Sequence, residues 1–192
     1  LGMYESDDSP VTEEEITTMI QQGVEAGIFE EAEHDMVEGI FRLGDRRISS
    51  LMTPRTEIVW LNIQDSLEEN QKKMMGGQYS RFPLCDGDLD HVLGLVEAKD
   101  MLATLFAGKP LDLAALNEEP IYVPEAMTSA KVLELFRESG VHMAFVIGEY
   151  GGLEGLVTVQ DILEAIVGEG GEDAEVVQRK DGSWLLDGLL SV

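Results

Sequence analysis

Thr158 and Asp161 stand three residues apart, where the run Gly155-Leu156-Val157 gives way to the helical pattern that contains Ile162 and Leu163. A hydroxyl at a strand end and a carboxylate in the next helical turn set an O–H and free helix N–H groups where a phosphate can be received. The carboxylate is then placed to hold paired ribose hydroxyls. The same spacing is a helix-capping signature, in which both side chains satisfy the helix's own first N–H groups, and the two roles are compatible. Sixty-one residues earlier the equivalent positions are Glu97 and Asp100. There a carboxylate replaces the hydroxyl and adds like-charge repulsion toward any phosphate. Glu30, Glu33 and His34 have i, i+3, i+4 spacing that could hold a metal, but one His among carboxylates reads more simply as a charged helix face. The sequence has no nucleophile elbow, P-loop, dinucleotide fingerprint or paired Cys or His cluster at metal spacing, so no residue set points to catalysis. The glycines of Gly168-Glu169-Gly170-Gly171 follow a helical pattern and read as a C-cap and linker.

The elements that must position these groups come from an internal repeat. Gly94-Leu95-Val96-Glu97-Ala98-Lys99-Asp100 matches Gly155-Leu156-Val157-Thr158-Val159-Gln160-Asp161 at an offset of 61, and the same offset sets Ser80-Arg81-Phe82-Pro83-Leu84 against Val141-His142-Met143-Ala144-Phe145. Upstream, Ile58 to Leu61 and Ile121 to Val123 each precede a helical stretch, with a one-residue slip between copies. Asp86-Gly87-Asp88 and Gly148 to Gly152 supply hairpin turns. Each copy therefore reads strand, helix, strand, strand, helix. Two copies of about sixty residues are too small to bury their strands alone, so they are expected to pack into one pseudo-symmetric body with two equivalent clefts. Ahead of the repeat, Thr12 to Glu15 form a capping box, and apolar residues from Ile16 to Phe41 recur at helical spacing with a break at Gly27. Cys85, Trp60, Trp184, Met74, Met75, Met101, Met127 and Met143 read as core filling, with Met101 and Met127 also placed to face a partner subunit.

Composition excludes several classes. The 192 residues contain 13 Lys+Arg against 38 Asp+Glu, for a net charge of −25. Nucleic acid and anionic lipid are bound by clustered cations, which this chain lacks. Residues 1–41 carry 12 acidic side chains and no Lys or Arg. A single cysteine rules out an internal disulfide and suggests a reducing compartment, the cytosol. No apolar run approaches the ~18 residues that span a bilayer. The apolar Leu189-Leu190-Ser191-Val192 at the end suggests a piece of a longer protein.

Taken together, Leu51-Met52-Thr53-Pro54-Arg55, Tyr79-Ser80-Arg81-Phe82-Pro83-Leu84, His142 to Gly152 and Gly155 to Glu164 resemble the tandem cystathionine beta-synthase (CBS) domains of the magnesium and cobalt efflux (CorC) family and its hemolysin-like and cyclin M relatives. The resemblance covers residues 12–168, and Arg179 to Gly188 looks like the start of that family's C-terminal transporter-associated domain. It implies an α+β tandem pair: an acidic tail at 1–11, a helical segment at 12–47, CBS domains at 48–108 and 117–168, and a linker with the truncated further domain at 169–192.

What the resemblance implies is regulation by an adenosine nucleotide, ATP or AMP, on the cytosolic side of a membrane cation-transport module. Thr158 and Asp161 would face a wall formed by Thr56, Ile58, Tyr79, Ser80, Arg81 and Pro83, with Arg81 as the cationic contact. A second cleft would hold Asp100, His142 and Ala144, and Glu97 makes it the weaker one; His142 on an apolar strand also reads as a core residue. The acidic charge repels a nucleotide over a Debye length of ~8 Å, which favours ATP with Mg²⁺. The acidic stretches 30–38 and 164–175 are either Mg²⁺-sensing or a solvated face. The apolar helix faces after Lys99 and Gln160 are expected to make a homodimer. The alternative is a dimerisation module whose clefts are empty.

Overall fold

The computed structural model describes residues 11–77 and 79–168 and the backbone of 176–178 and 184–186. Two compact units are present, residues 46–161 and residues 1–45 with 162–192.

In the larger unit, β1 (Thr53–Pro54), β2 (Leu61–Asn62), α3 (Leu67–Met75), β3 (Arg81–Cys85), β4 (Val92–Glu97) and α4 (Ala98–Phe106) make the first copy. The second copy is β5 (Tyr122–Pro124), α5 (Ser129–Ser139), β6 (Met143–Ile147), β7 (Leu153–Thr158) and the start of α6 (Val159–Val167). Short 3₁₀ turns at Ile48–Ser50 and Arg55–Glu57 flank β1. One sheet has the order β2-β3-β4 and the other β1-β7-β6-β5. Strand β2 lies parallel to β3 and β5 to β6, as a helical crossover allows, and the hairpins β3–β4 and β6–β7 that follow are antiparallel. The strands between the sheets are buried as continuous apolar runs: Ile58, Cys85 and Leu95 of the first copy share a cluster with Met143, Phe145, Leu153 and Leu156 of the second.

Pairing corrects the uniform offset of 61. Arg81 opposes Glu97 as Met143 opposes Thr158, so the last strands are related by 61 residues and the strands before them by 62. Both hairpins carry an irregularity at the same place, between Leu84 and Cys85 and between Val146 and Ile147. The slip lies in the connecting loop, residues 86–91 in one copy and 148–152 in the other, where a deletion costs no ladder hydrogen bond. Arg81 thus corresponds to Met143, and Ser80 to His142.

The segment leading into each copy crosses to the final strand of the other. Thr53 pairs with Leu156, and Glu118 bridges Leu95. This explains the glycines of the repeat. A Cβ on Gly155 would lie 2.5 Å from the Thr53 carbonyl oxygen, and one on Gly94 would lie 2.1 Å from that of Glu118. Arg55 fixes the crossing from its side, donating through Nη1 to Asp90 Oδ1 at 2.5 Å and to the Leu153 carbonyl at 3.3 Å.

In the other unit, α1 (Glu13–Glu25) starts with the expected capping box between Thr12 and Glu15 and ends before Gly27, whose φ of +71° only glycine adopts readily. Helix α2 (Glu31–Asp45) brings Gly39 against the backbone of Ile166 in α6. Strands β8 (Val176–Gln178) and β9 (Trp184–Leu186) form an antiparallel pair. The side chain of Trp184, the acidic tail before Val11, the acidic stretch after Gly168 and most of the stretch Arg179 to Gly188 lie outside the described residues.

Two packing expectations need correction. Met75 does not fill the core: it is 83% exposed at the end of α3. Trp60 is only partly buried, with Lys73 Nζ 4.8 Å from its ring centroid while the same ammonium pairs with Asp65 at 2.8 Å. Met101, Met143 and Cys85 are buried as expected, and burial pushes the Cys85 thiol up to about 11, which makes it unreactive.

Candidate functional site

The two strand-to-helix junctions are built alike. The N–H of Ala98 donates to the Ser80 carbonyl at 2.9 Å, and the N–H of Val159 donates to the His142 carbonyl at 3.1 Å. In each copy the start of the third strand's helix is therefore locked to the start of the second strand.

At the second junction the capping geometry is complete. The Thr158 hydroxyl donates to Asp161 Oδ2 at 2.9 Å and accepts from the Asp161 N–H at 3.3 Å, while the Thr158 N–H donates to the same carboxylate at 2.6 Å. Both side chains are half-buried. A hydroxyl and a carboxylate are thus held in fixed positions at the opening of a helix, pre-organised toward whatever approaches that end. His142 lies beside this junction and is exposed, so it is not a core histidine.

The first junction is wired differently. Glu97 occupies the position of Thr158 but makes no capping bond to α4. Its carboxylate accepts instead from Arg81 Nε at 2.7 Å, across the β3–β4 pair, and it also pairs with Lys99 Nζ. Glu97 is only 7% exposed. The Lys99 ammonium, and after it the Arg81 guanidinium, hold the Glu97 carboxyl below the usual range against the opposing effect of burial. Glu97 is therefore not a stray charge of the second cleft alone: it binds the cation expected to serve the first.

The remaining expected residues divide by depth. Ile58 and Pro83 are buried, Ile58 against β6 and β7 of the other copy. Thr56 is exposed in the 3₁₀ turn that follows β1, and β1 pairs with β7, the strand that ends in Thr158. Tyr79 and Ser80 are exposed, with the Tyr79 ring edge-on to Phe82 at 6.3 Å. Asp100 is half-buried in the first turn of α4, and Ala144 is fully buried. Sequence reasoning missed Lys99 as a partner of Glu97; its signal was a position two residues on, in the first turn of the same helix. No group of three or more His, Cys, Asp or Glu among the described residues is arranged to hold a metal, the stretch Glu30 to His34 included; there Glu33 accepts from the Glu30 N–H at 2.9 Å. No helix among them is long and apolar enough to cross a membrane.

The CBS domain family profile matches residues 48–107 and 112–168. A Synechocystis protein, UPF0053 protein sll0260, is 48% identical over the whole chain, which covers 44% of that relative. The polyamine export protein of Escherichia coli K12 is 31% identical over 98% of the chain and 43% of its own length. The chain thus spans a little under half the length of these curated relatives. Among solved structures, the CBS domain of a bacterial CNNM/CorC family Mg²⁺ transporter, bound to an inhibitor, superposes with a TM-score of 0.72 at 33% identity, covering 82% of this chain and 98% of that one. A CNNM/CorC CBS domain in complex with ATP superposes with a TM-score of 0.64 at 35% identity, covering 71% and 97%. With both repeats matched and the junctions equivalent, the chain belongs to the CBS-domain family, as a tandem pair of the CorC/HlyC-like kind.

Proposed function

We propose that this chain is a regulatory module that binds an adenosine nucleotide, ATP·Mg²⁺ foremost, and couples its occupancy to a cation-transporting part of a longer protein on the cytosolic side of a membrane. The observation that carries the reading is the Thr158–Asp161 pair, held rigid at the opening of α6. A phosphate at that end meets the hydroxyl and the helix N–H groups, and ribose hydroxyls meet the carboxylate. Thr56, Ile58, Tyr79, Ser80, Arg81 and Pro83 form the facing wall, while Asp100, His142 and Ala144 line a second, weaker cleft. The ATP complex of a CBS domain 35% identical to this chain supports the ligand class. The net charge of −25 supports the Mg²⁺ salt, whose lower charge is less repelled. Relatives are named for Mg²⁺ transport and for polyamine export, which supports a cation as the cargo of the longer protein.

Titration calorimetry with ATP, with and without Mg²⁺, tests this. Thr158→Ile removes a hydrogen bond to a charged group and adds bulk; at about 1.5 to 3 kcal/mol, Kd should rise ten- to a hundredfold or more, while the unliganded protein loses only the cap of α6, about 1 kcal/mol. Unaltered binding in the variant sinks the assignment.

Assembly follows from the helices. Leu102, Leu105 and Phe106 of α4 are exposed, as are their counterparts Leu163 and Val167 in α6, so the repeat presents the same apolar stripe twice. Two copies joined through these stripes make a homodimer, and light scattering at high micromolar concentration should give twice the chain mass; a monomer refutes it. A second reading, a dimerisation module with closed clefts, is favoured by one observation, the Arg81–Glu97 pair.

A further inference from the structure

The Arg81–Glu97–Lys99 cluster has a consequence for which ligands the module accepts, resting on the nucleotide reading above. Arg81 is the guanidinium of the facing wall, and its Nε is engaged by Glu97 at 2.7 Å. Glu97 is nearly buried, with a side-chain exposure of 10% against 31% for Arg81, so bulk water screens this pair poorly. Lys99 pairs with the other carboxylate oxygen, leaving the three side chains with a net charge of +1 rather than +2. The second copy has no such group, because Met143 and Thr158 occupy the corresponding opposed positions.

We propose that Glu97 acts as an internal substitute for a ligand phosphate: it holds Arg81 in advance, lowers the affinity for anionic nucleotides, and leaves the affinity for the uncharged nucleoside unchanged. A phosphate reaching Arg81 meets a guanidinium whose charge is already partly offset, and it meets the carboxylate as well. Both effects grow with ligand charge. Glu97 therefore sets a ceiling on how strongly the module prefers ATP to adenosine. Gln at this position keeps the length and an oxygen acceptor for Arg81, so Glu97→Gln removes the charge and leaves the shape.

The experiment is a calorimetric comparison of ATP and adenosine, both without Mg²⁺ at fixed ionic strength, on the parent chain, Glu97→Gln, Arg81→Ala and the double variant. One unit charge removed at contact range in a half-buried site corresponds to roughly a tenfold change in Kd. Glu97→Gln should bind ATP about tenfold more tightly while adenosine shifts less than about twofold, and the gain should vanish when Arg81 is absent, which assigns it to that pair. Equal ATP affinity in parent and Glu97→Gln overturns the inference while leaving the nucleotide reading intact. Equal gains for ATP and adenosine overturn it too, because they mean a change of shape. If neither ligand binds the parent or any variant, both the inference and the nucleotide reading fall. A melting curve without ligand checks that each variant is folded, and Glu97→Thr, which restores the residue type of the second copy, repeats the test if Glu97→Gln unfolds.

Discussion

The junction of β4 with α4 and the junction of β7 with α6 share a backbone and differ in chemistry. Both lock the helix start to the residue just before the neighbouring strand, β3 or β6, through one N–H to carbonyl bond, at Ser80 and at His142. One spends its side chains on itself, with Thr158 and Asp161 closing a cap. The other makes no cap and joins Glu97 to Arg81 on the neighbouring strand and to the Lys99 side chain of its own helix. A duplicated fold thus keeps the hydrogen bonds that define its path while its clefts diverge, because the path depends on main-chain groups and the clefts on a few side chains.

The largest expected effects test whether the two copies share their scaffold. Gly94→Ala and Gly155→Ala each push a methyl into a carbonyl oxygen of the crossing segment, and overpacking of this kind costs about 1 to 3 kcal/mol. Chemical denaturation should show both variants destabilised; a loss at one glycine only would break the equivalence. Next come the helix-start carboxylates. Asp161→Asn keeps a capping oxygen but loses the charge that holds ribose hydroxyls, so ATP and adenosine should both weaken about tenfold, whereas Asp100→Asn should leave both within about twofold. Equal losses at the two positions would mean that both clefts bind alike.

The smallest effect is in acid. Because the folded-state pKa of Glu97 lies below its ordinary 4.5, its pairing adds stability above that value and gives it up as pH falls through the lowered one. The difference in Tm between the parent and Glu97→Gln should therefore be greatest near neutral pH and shrink below about pH 4.5. A difference that stays constant from pH 7 to 3 would mean that the carboxylate's charge contributes nothing to the fold.

Some of this was legible in the chain itself. The repeat, its order of strands and helices, the hairpins, the capping boxes and the helix-start pairs rest on residues close in sequence, where periodicity and turn chemistry act locally. The reason for the glycines was not legible, since it requires knowing that each leading segment crosses to the other copy. Nor was the exposure of Met75 and His142, which depends on where an element ends and what packs over it.

Local pattern in the chain is enough to specify the duplicated strand-helix-strand-strand-helix order and the chemical types at each helix start. Which charges meet depends on the folded sheet. A one-residue difference in a hairpin loop moves Arg81 opposite Glu97 and sets Met143, not His142, in the corresponding place. Side chains on paired strands face each other by register, and register is fixed by the whole sheet rather than by the residues that come to share it.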